Sequence, residues 1–176
     1  MTTRHEANGG NPTAVLHCLR VCGKMDGSAR KEGGKNLFVS KSRIVVRYAE
    51  TDQMGVVHHA VYPVWYEVAR TDYVEKALGF HYAEMEKMGV MTPLSGLNCH
   101  YAGAARYGEE ITVCVRVTQL TAARIEFSYE LYRDGEEKPF NTGSTLHGWV
   151  DAKTFRPLNM KKKYPEIYEK IRALMD

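Results

Sequence analysis

The sequence predicts an α+β fold in which a curved antiparallel sheet wraps one long helix, and three observations carry that expectation. A Val- and Ile-rich run at 38–48 precedes a single long apolar helical segment, 60–78. Four strand-like segments follow the helix and no second long helix separates them. Two of the four alternate apolar and polar residues, so their sheet has one covered face and one more polar face. A length of 176 residues fits one domain with a core of its own, and 44% hydrophobic with 26% charged residues is an ordinary globular composition.

Residues 1–37 read as a flexible N-terminal extension, with the domain spanning 38–176. The extension holds six of the 15 glycines and little sustained periodicity. Met25 lies inside it, so the first 24 residues are expected to come from an upstream start or an appended segment. From Phe38 a strand runs to Tyr48, and a polar loop with Gly55 occupies 49–57. The helix at 60–78 has Pro63 in its first turn and Gly79 directly after it, the asymmetry expected of a helix start and stop. Its first half is apolar on nearly every side (Val61, Tyr62, Val64, Trp65, Tyr66, Val68, Ala69), which predicts a helix buried all round. A short amphipathic segment, 81–87, follows. Strands are expected at 91–102, 111–120, 124–133 and 139–151, with Arg133-Asp134-Gly135-Glu136 as a hairpin signal. Ile111, Val113, Val115 and Val117 share one face, as do Ile125, Phe127, Tyr129 and Leu131. An amphipathic helix at 164–174 closes the chain. No internal repeat is visible.

The net charge is +3, but its location matters more than its size. Residues 1–37 carry six basic and three acidic residues, and the remainder balances at 18 of each. A neutral body offers no basic stripe to displace counterions, so nucleic acid is not an expected partner. The apolar run 13–22 is broken by His17 and Arg20, so no membrane span is expected there. Cys18, Cys22, Cys99 and Cys114 form no closely spaced framework, which points to a reducing compartment and a cytoplasmic location. Cys18 and Cys22 with His17 lack further ligands at finger spacing, so no metal site is expected.

The chemistry concentrates in residues 47–70, RYAETDQMGVVHHAVYPVWYEVAR. Pro63 fixes where the helix can begin, which places the amides of 57–60 at or just before its N-terminus, without intrahelical partners. Free N–H groups at the positive end of a helix dipole suit a developing oxyanion or another anion. Asp52 stands a few residues upstream, with Gly55 giving the backbone room to turn. A carboxylate beside an oxyanion site is the minimum equipment for acyl transfer, although an Asp before a helix is equally a common turn former. His58 and His59 lack a helical i, i+4 partner and read as loop-shaping residues, the His59 amide being of more interest than its ring. Glu67 is the one carboxylate in the apolar half of the helix, open to a structural or a site role.

The stretch TDQMGVVHHAVYPVWYEVAR, with AARYGEEITV and GSTLHGWVDAKTFRPL, resembles the hot dog fold acyl-CoA thioesterases of the 4-hydroxybenzoyl-CoA thioesterase type. The resemblance covers about 38–168. It implies a five-stranded antiparallel sheet around a long central helix, in dimers that often pair into tetramers. It implies acyl-CoA as substrate, with coenzyme A as part of that substrate and no separate cofactor. Asp52 then matches the catalytic carboxylate, as nucleophile or general base. The His59 amide matches the oxyanion donor, Gly55 the loop glycine, and Glu67 an acidic residue facing the same pocket. Val57 and His58 fall beside them in the substrate-binding loop. Ala104 stands where many relatives carry proline. For the coenzyme A phosphates, charge alone nominates Arg106, Arg124 and the run Lys161, Lys162, Lys163, the last being equally a solvated face. The alternatives left open are a hydratase or dehydratase on acyl thioesters and a non-catalytic acyl-CoA-binding module.

Overall fold

A computed structural model describes residues 37–175, so the expectations for the N-terminal extension, Met25, His17, Cys18 and Cys22 lie outside the described residues. Strand β1, Ser40–Val45, is shorter than expected. The chain turns into a 3-10 turn, Tyr48–Glu50, because the Glu50 side chain reaches back to the Arg47 amide and ends the extended run. Helix α1, Val61–Leu78, then starts within a residue of its expected position and stops where expected, at Gly79 in the left-handed region (φ 81°). The short helix α2, Tyr82–Lys87, follows.

The two longest strand-like segments are each divided. Pro93, which has no N–H to give a ladder, separates β2, Val90–Met91, from β3, Leu94–Tyr101. After β4, Glu110–Leu120, and β5, Arg124–Arg133, the segment at 139–151 becomes β6, Asn141–Gly148, and β7, Val150–Asp151, broken at Trp149. The main sheet has five antiparallel strands in the order β1-β4-β5-β6-β3, and β2 pairs with β7 in a second, two-stranded sheet. Register shifts at Val117/Gln119 and Leu94/Gly96 bend the strands concerned, which lets the sheet curve around α1. Helices α3, Met160–Lys163, and α4, Pro165–Ala173, end the described chain.

The core lies between α1 and the concave sheet face. Tyr62, Trp65, Tyr66, Ala69, Tyr73 and Ala77 fall at helical spacing on one side of α1 and are buried against the alternating apolar residues of β4 and β5. Tyr66 stacks on Tyr129 at 4.3 Å, and Tyr73 meets Phe127 edge-on at 5.6 Å. The expectation of a helix buried all round does not hold within this chain: Val64 and Val68 are 49% and 46% exposed, and Glu67 is exposed between them. A sheet curving around one side of a helix leaves the opposite side open, however apolar. Among the described residues Cys99 is a free thiol. No described helix is long and apolar enough to cross a membrane.

Candidate active site

The loop before α1 is folded back on itself by its own amides. Asp52 N–H donates to the Val56 carbonyl at 2.9 Å, Gly55 N–H donates to the Asp52 carbonyl at 2.9 Å, and Thr51 bridges to Val57. Gly55 has φ 72°, a conformation that costs other L-residues about 1–2 kcal/mol, so the tight turn requires its glycine. The Asp52 side chain is half-buried, and its Oδ1 accepts the Met54 amide at 2.8 Å. This is the turn-forming role open to any Asp, and it uses one oxygen; no described residue donates to Oδ2.

The amides that follow are not equivalent. Val57 N–H donates to the Ala105 carbonyl at 2.8 Å, His58 N–H to the Glu50 carbonyl at 2.9 Å, Ala60 N–H to the His58 Nδ1 at 3.3 Å and Val61 N–H to the His58 carbonyl at 2.9 Å. Among 57–61, His59 alone donates its amide to no described residue. The expectation of a run of free amides is thus corrected to one. That free donor sits at the start of an 18-residue helix, where the dipole adds positive potential. The neighbouring His59 carbonyl accepts the Tyr101 hydroxyl at 2.9 Å, a contact from β3 that sequence reasoning missed.

Glu50 was also missed, and it is the most constrained carboxylate of the loop. It is 6% exposed, and Oε1 accepts the Arg47 guanidinium at 2.7 and 3.1 Å and the Trp65 indole N–H at 3.2 Å. Burial pushes its carboxyl up, but the Arg47 side chain, the Arg47 amide and the Trp65 indole together hold it below the usual carboxylate range, so it stays ionised. The signal that could have found it is the aromatic donor Trp65 on the face of the helix that covers the loop.

Beside α1 lies a cleft of about 430 Å³, lined by Val64, Glu67 and Arg70 of the helix, Leu97 of β3, His147 of β6 and Phe155. Phe155, exposed and at φ 57°, is the one described non-glycine residue with positive φ, and it stands at the cleft wall. Under the wall His147 is 3% exposed, and burial, with the Arg70 charge, depresses its pKa to about 4, leaving the ring neutral at pH 7. Its Nδ1 lies 3.0 Å from the Thr92 carbonyl, which can only accept, so Nδ1 carries the proton. Nε2 then accepts the Thr145 hydroxyl at 2.9 Å, and Thr145 accepts Tyr129 at 2.6 Å.

The structure therefore brings Asp52, Gly55, His58 and the His59 amide into one loop, with Arg106 joined to it through the Gly55 carbonyl at 3.4 Å. It does not bring Val57 to the site as a free group: its side chain is 4% exposed in the core and its amide is paired. Glu67 lines the cleft from the open face of α1, where it is exposed, so the burial implied by its place in the apolar half of the helix does not hold. Arg124 begins β5, whereas Arg133 at the other end of that strand reaches the Ala104 carbonyl, next to the Ala105 on which the loop packs. Lys161, Lys162 and Lys163 lie on α3, where Lys163 pairs with Asp151 at 3.2 Å, which favours the solvated-face reading. The turn at Ala104 is held without proline, because its carbonyl accepts Arg133 at 2.5 Å.

A half-free carboxylate and a single unpartnered amide in one loop can attack or hydrate a carbonyl and hold the charge that forms on its oxygen. Over residues 46–173 the chain matches the family described as the thioesterase-like superfamily. YneP of Bacillus subtilis, a protein assigned as an acyl-CoA thioesterase, is 40% identical across 76% of this chain and 98% of its own. The DHNA-CoA thioesterase from Staphylococcus aureus is 38% identical and superimposes with a TM-score of 0.71, covering 77% of this chain and 92% of that one. A hypothetical protein, TT1821 from Thermus thermophilus, is likewise 38% identical, with a TM-score of 0.70 over 77% of this chain and 98% of its own.

Proposed function

This chain belongs to the thioesterase-like superfamily, and on that premise we propose that it hydrolyses acyl-CoA thioesters to a carboxylic acid and free coenzyme A, with Asp52 and the His59 amide as the reacting pair. The hot dog arrangement of a curved five-stranded sheet around α1 is the frame that holds them. The observation that carries the proposal is the amide inventory of 57–61, in which only His59 N–H is left to donate. Bound at that amide, the thioester carbonyl is polarised. Asp52 Oδ2 either attacks it and expels the coenzyme A thiolate, leaving a mixed anhydride that water then hydrolyses, or takes a proton from a water whose attack on the carbonyl expels the thiolate. The scheme uses only groups of this chain. Single turnover in heavy-oxygen water separates the two routes, because only attack by Asp52 leaves label in the enzyme carboxylate.

The cleft along α1 is where the acyl group would lie, and the likeness to the DHNA-CoA thioesterase puts that thioester on the assay panel beside aliphatic ones. Arg106, at the loop's edge, is the cation best placed to meet a coenzyme A phosphate. A homodimer is part of the proposal: β3 is an open sheet edge, and Leu94, Leu97, Val64 and Val68 expose apolar surface beside it. A hydratase would require an imidazole poised over a reacting atom. Instead the His58 and His59 rings lie exposed, 4.1 Å apart, with His58 Nδ1 taken by an amide. Release of free thiol from the acyl-CoA panel tests the reading. No release from any member, or loss of an enoyl thioester chromophore in its place, would replace it.

A further inference from the structure

We propose that Glu50 is a positioning residue for the oxyanion donor, holding the His58–His59 peptide in place from within the core; the inference rests on the thioesterase reading above. Three links meet at this residue. Its carboxylate is bonded to Trp65 Nε1 in the second turn of α1, and Trp65 is 2% exposed and fixed by the core. The same carboxylate closes the 3-10 turn through the Arg47 amide at 2.8 Å. Its backbone carbonyl accepts His58 N–H at 2.9 Å.

The last link selects the reactive amide. Because His58 N–H is taken by Glu50, His59 N–H is the first donor left over, and its direction is set by the peptide plane it shares with the His58 carbonyl. That carbonyl is itself tied to Val61 N–H at the start of α1. Moving Glu50 would move His58, and with it the donor. Misplacement of a reacting group by about 1 Å can cost on the order of 10²-fold in rate, so a link of this kind acts on turnover and not on substrate capture.

The ion pair with Arg47 is not the working part. Arg47 has a side chain 74% exposed against 7% for Glu50, so that end is screened by water and contributes little. The buried end, carboxylate to indole, is the one that locates the loop on the helix. Replacing Glu50 by Met removes the acceptor of that bond without burying a new polar group and leaves Arg47 free to hydrate, which keeps the variant foldable.

The experiment compares Glu50→Met and Trp65→Phe with the wild type by steady-state thiol release and by the amide spectrum of ¹⁵N-labelled protein. Expected for Glu50→Met, which removes both acceptor oxygens at similar side-chain length, is a fall of about 10- to 100-fold in kcat with KM within about twofold, and a displaced His59 amide resonance. Trp65→Phe removes the indole donor while keeping a ring, and a smaller loss of the same kind is expected. The double variant should lose little more than Glu50→Met, because both break one link. Wild-type kcat in either folded variant overturns the proposal, as does a loss confined to KM. Should Glu50→Met fail to fold, Trp65→Phe decides alone. A wild type inert on every thioester, with the His59 resonance still displaced in the variants, removes the thioesterase reading and leaves the positioning intact. An unmoved resonance overturns the positioning whatever the activity.

Discussion

The two ends of α1 are finished in opposite ways. At the C-terminus Gly79 adopts φ 81°, its N–H returns to the Glu75 carbonyl at 2.8 Å, and Lys170 reaches from α4 to the Leu78 carbonyl at 2.8 Å. That end is closed, with a cation placed against the negative end of the dipole. At the N-terminus the cap position is Ala60, whose side chain has nothing to donate or accept, and no side-chain bond caps the helix. The chain instead holds the N-terminal loop from behind, through Glu50 and Ala105, and keeps one donor open. The difference separates stabilising a helix from using it.

The sharpest way to break this contrast is at Asp52. Asp52→Asn keeps an oxygen to accept the Met54 amide, so the turn survives, while the charge needed to attack or to take a proton is gone. Thiol release should fall by about 10²- to 10⁴-fold with an unchanged melting temperature. Near-wild-type turnover would mean that the open end of α1 is an anion site without chemistry.

Much of the closed end was legible in the sequence, and less of the open one. Pro63 and Gly79 bracket α1 because their backbone restrictions are local, and the β4 and β5 alternation reads directly as one covered face. Asp52 and Gly55 could be located because a turn is also local. Glu50 could not, since a carboxylate in a polar run looks solvated until Trp65, 15 residues on, is folded over it. The open face of α1 was misjudged because apolar Val64 and Val68 do not reveal whether a sheet covers them. Arg124 was nominated by charge, and charge does not say which end of a strand faces the site. The buried His147 was passed over because its partners lie on other elements or two residues along its own strand.

Acid should separate stability from chemistry without touching either end of the helix. The folded His147 pKa of about 4 lies below its unfolded value near 6.5, so between these the unfolded chain binds more protons. Stability therefore rises with pH across that window, and it is lost as pH falls from about 6.5 to about 4, by ~3 kcal/mol in total. Melting temperatures from pH 7 to pH 4.5 should drop in the wild type and drop less in His147→Gln. Equal slopes would show that another group governs the acid limb.

Two glycine substitutions sharpen the comparison further. Gly79→Ala and Gly55→Ala both force a side chain into the left-handed region, and an added Cβ meets nothing within 4 Å at Gly79 and only the Arg106 guanidinium at 3.9 Å at Gly55. Each should cost about 1 kcal/mol, a fall of about 2–4 °C in melting temperature for a domain of this size. Turnover should distinguish them: Gly79→Ala unchanged, Gly55→Ala lower by about tenfold as the Asp52 turn shifts. Equal kcat in the two would erase the distinction between the ends.

The smallest expected effect lies at Tyr101, the one contact that reaches the open end from the sheet edge. Its hydroxyl donates to the His59 carbonyl at 2.9 Å, on the far side of the residue from the free amide. Burial, and then its neighbour Cys99, push the Tyr101 pKa up to about 12, so the hydroxyl keeps its proton throughout any practical assay. Tyr101→Phe removes only that donor and preserves the edge-on contact with Tyr62 at 5.1 Å. A single hydrogen bond is worth about 1 kcal/mol, so if it restrains His59 the loss should be about fivefold in kcat, with KM and melting temperature nearly constant. Full activity in Tyr101→Phe would show that the core-facing links of the loop hold the donor without help from β3. A rise in KM would instead move Tyr101 from His59 to the substrate, and the open end of α1 would then be bounded by the sheet edge rather than supported by it.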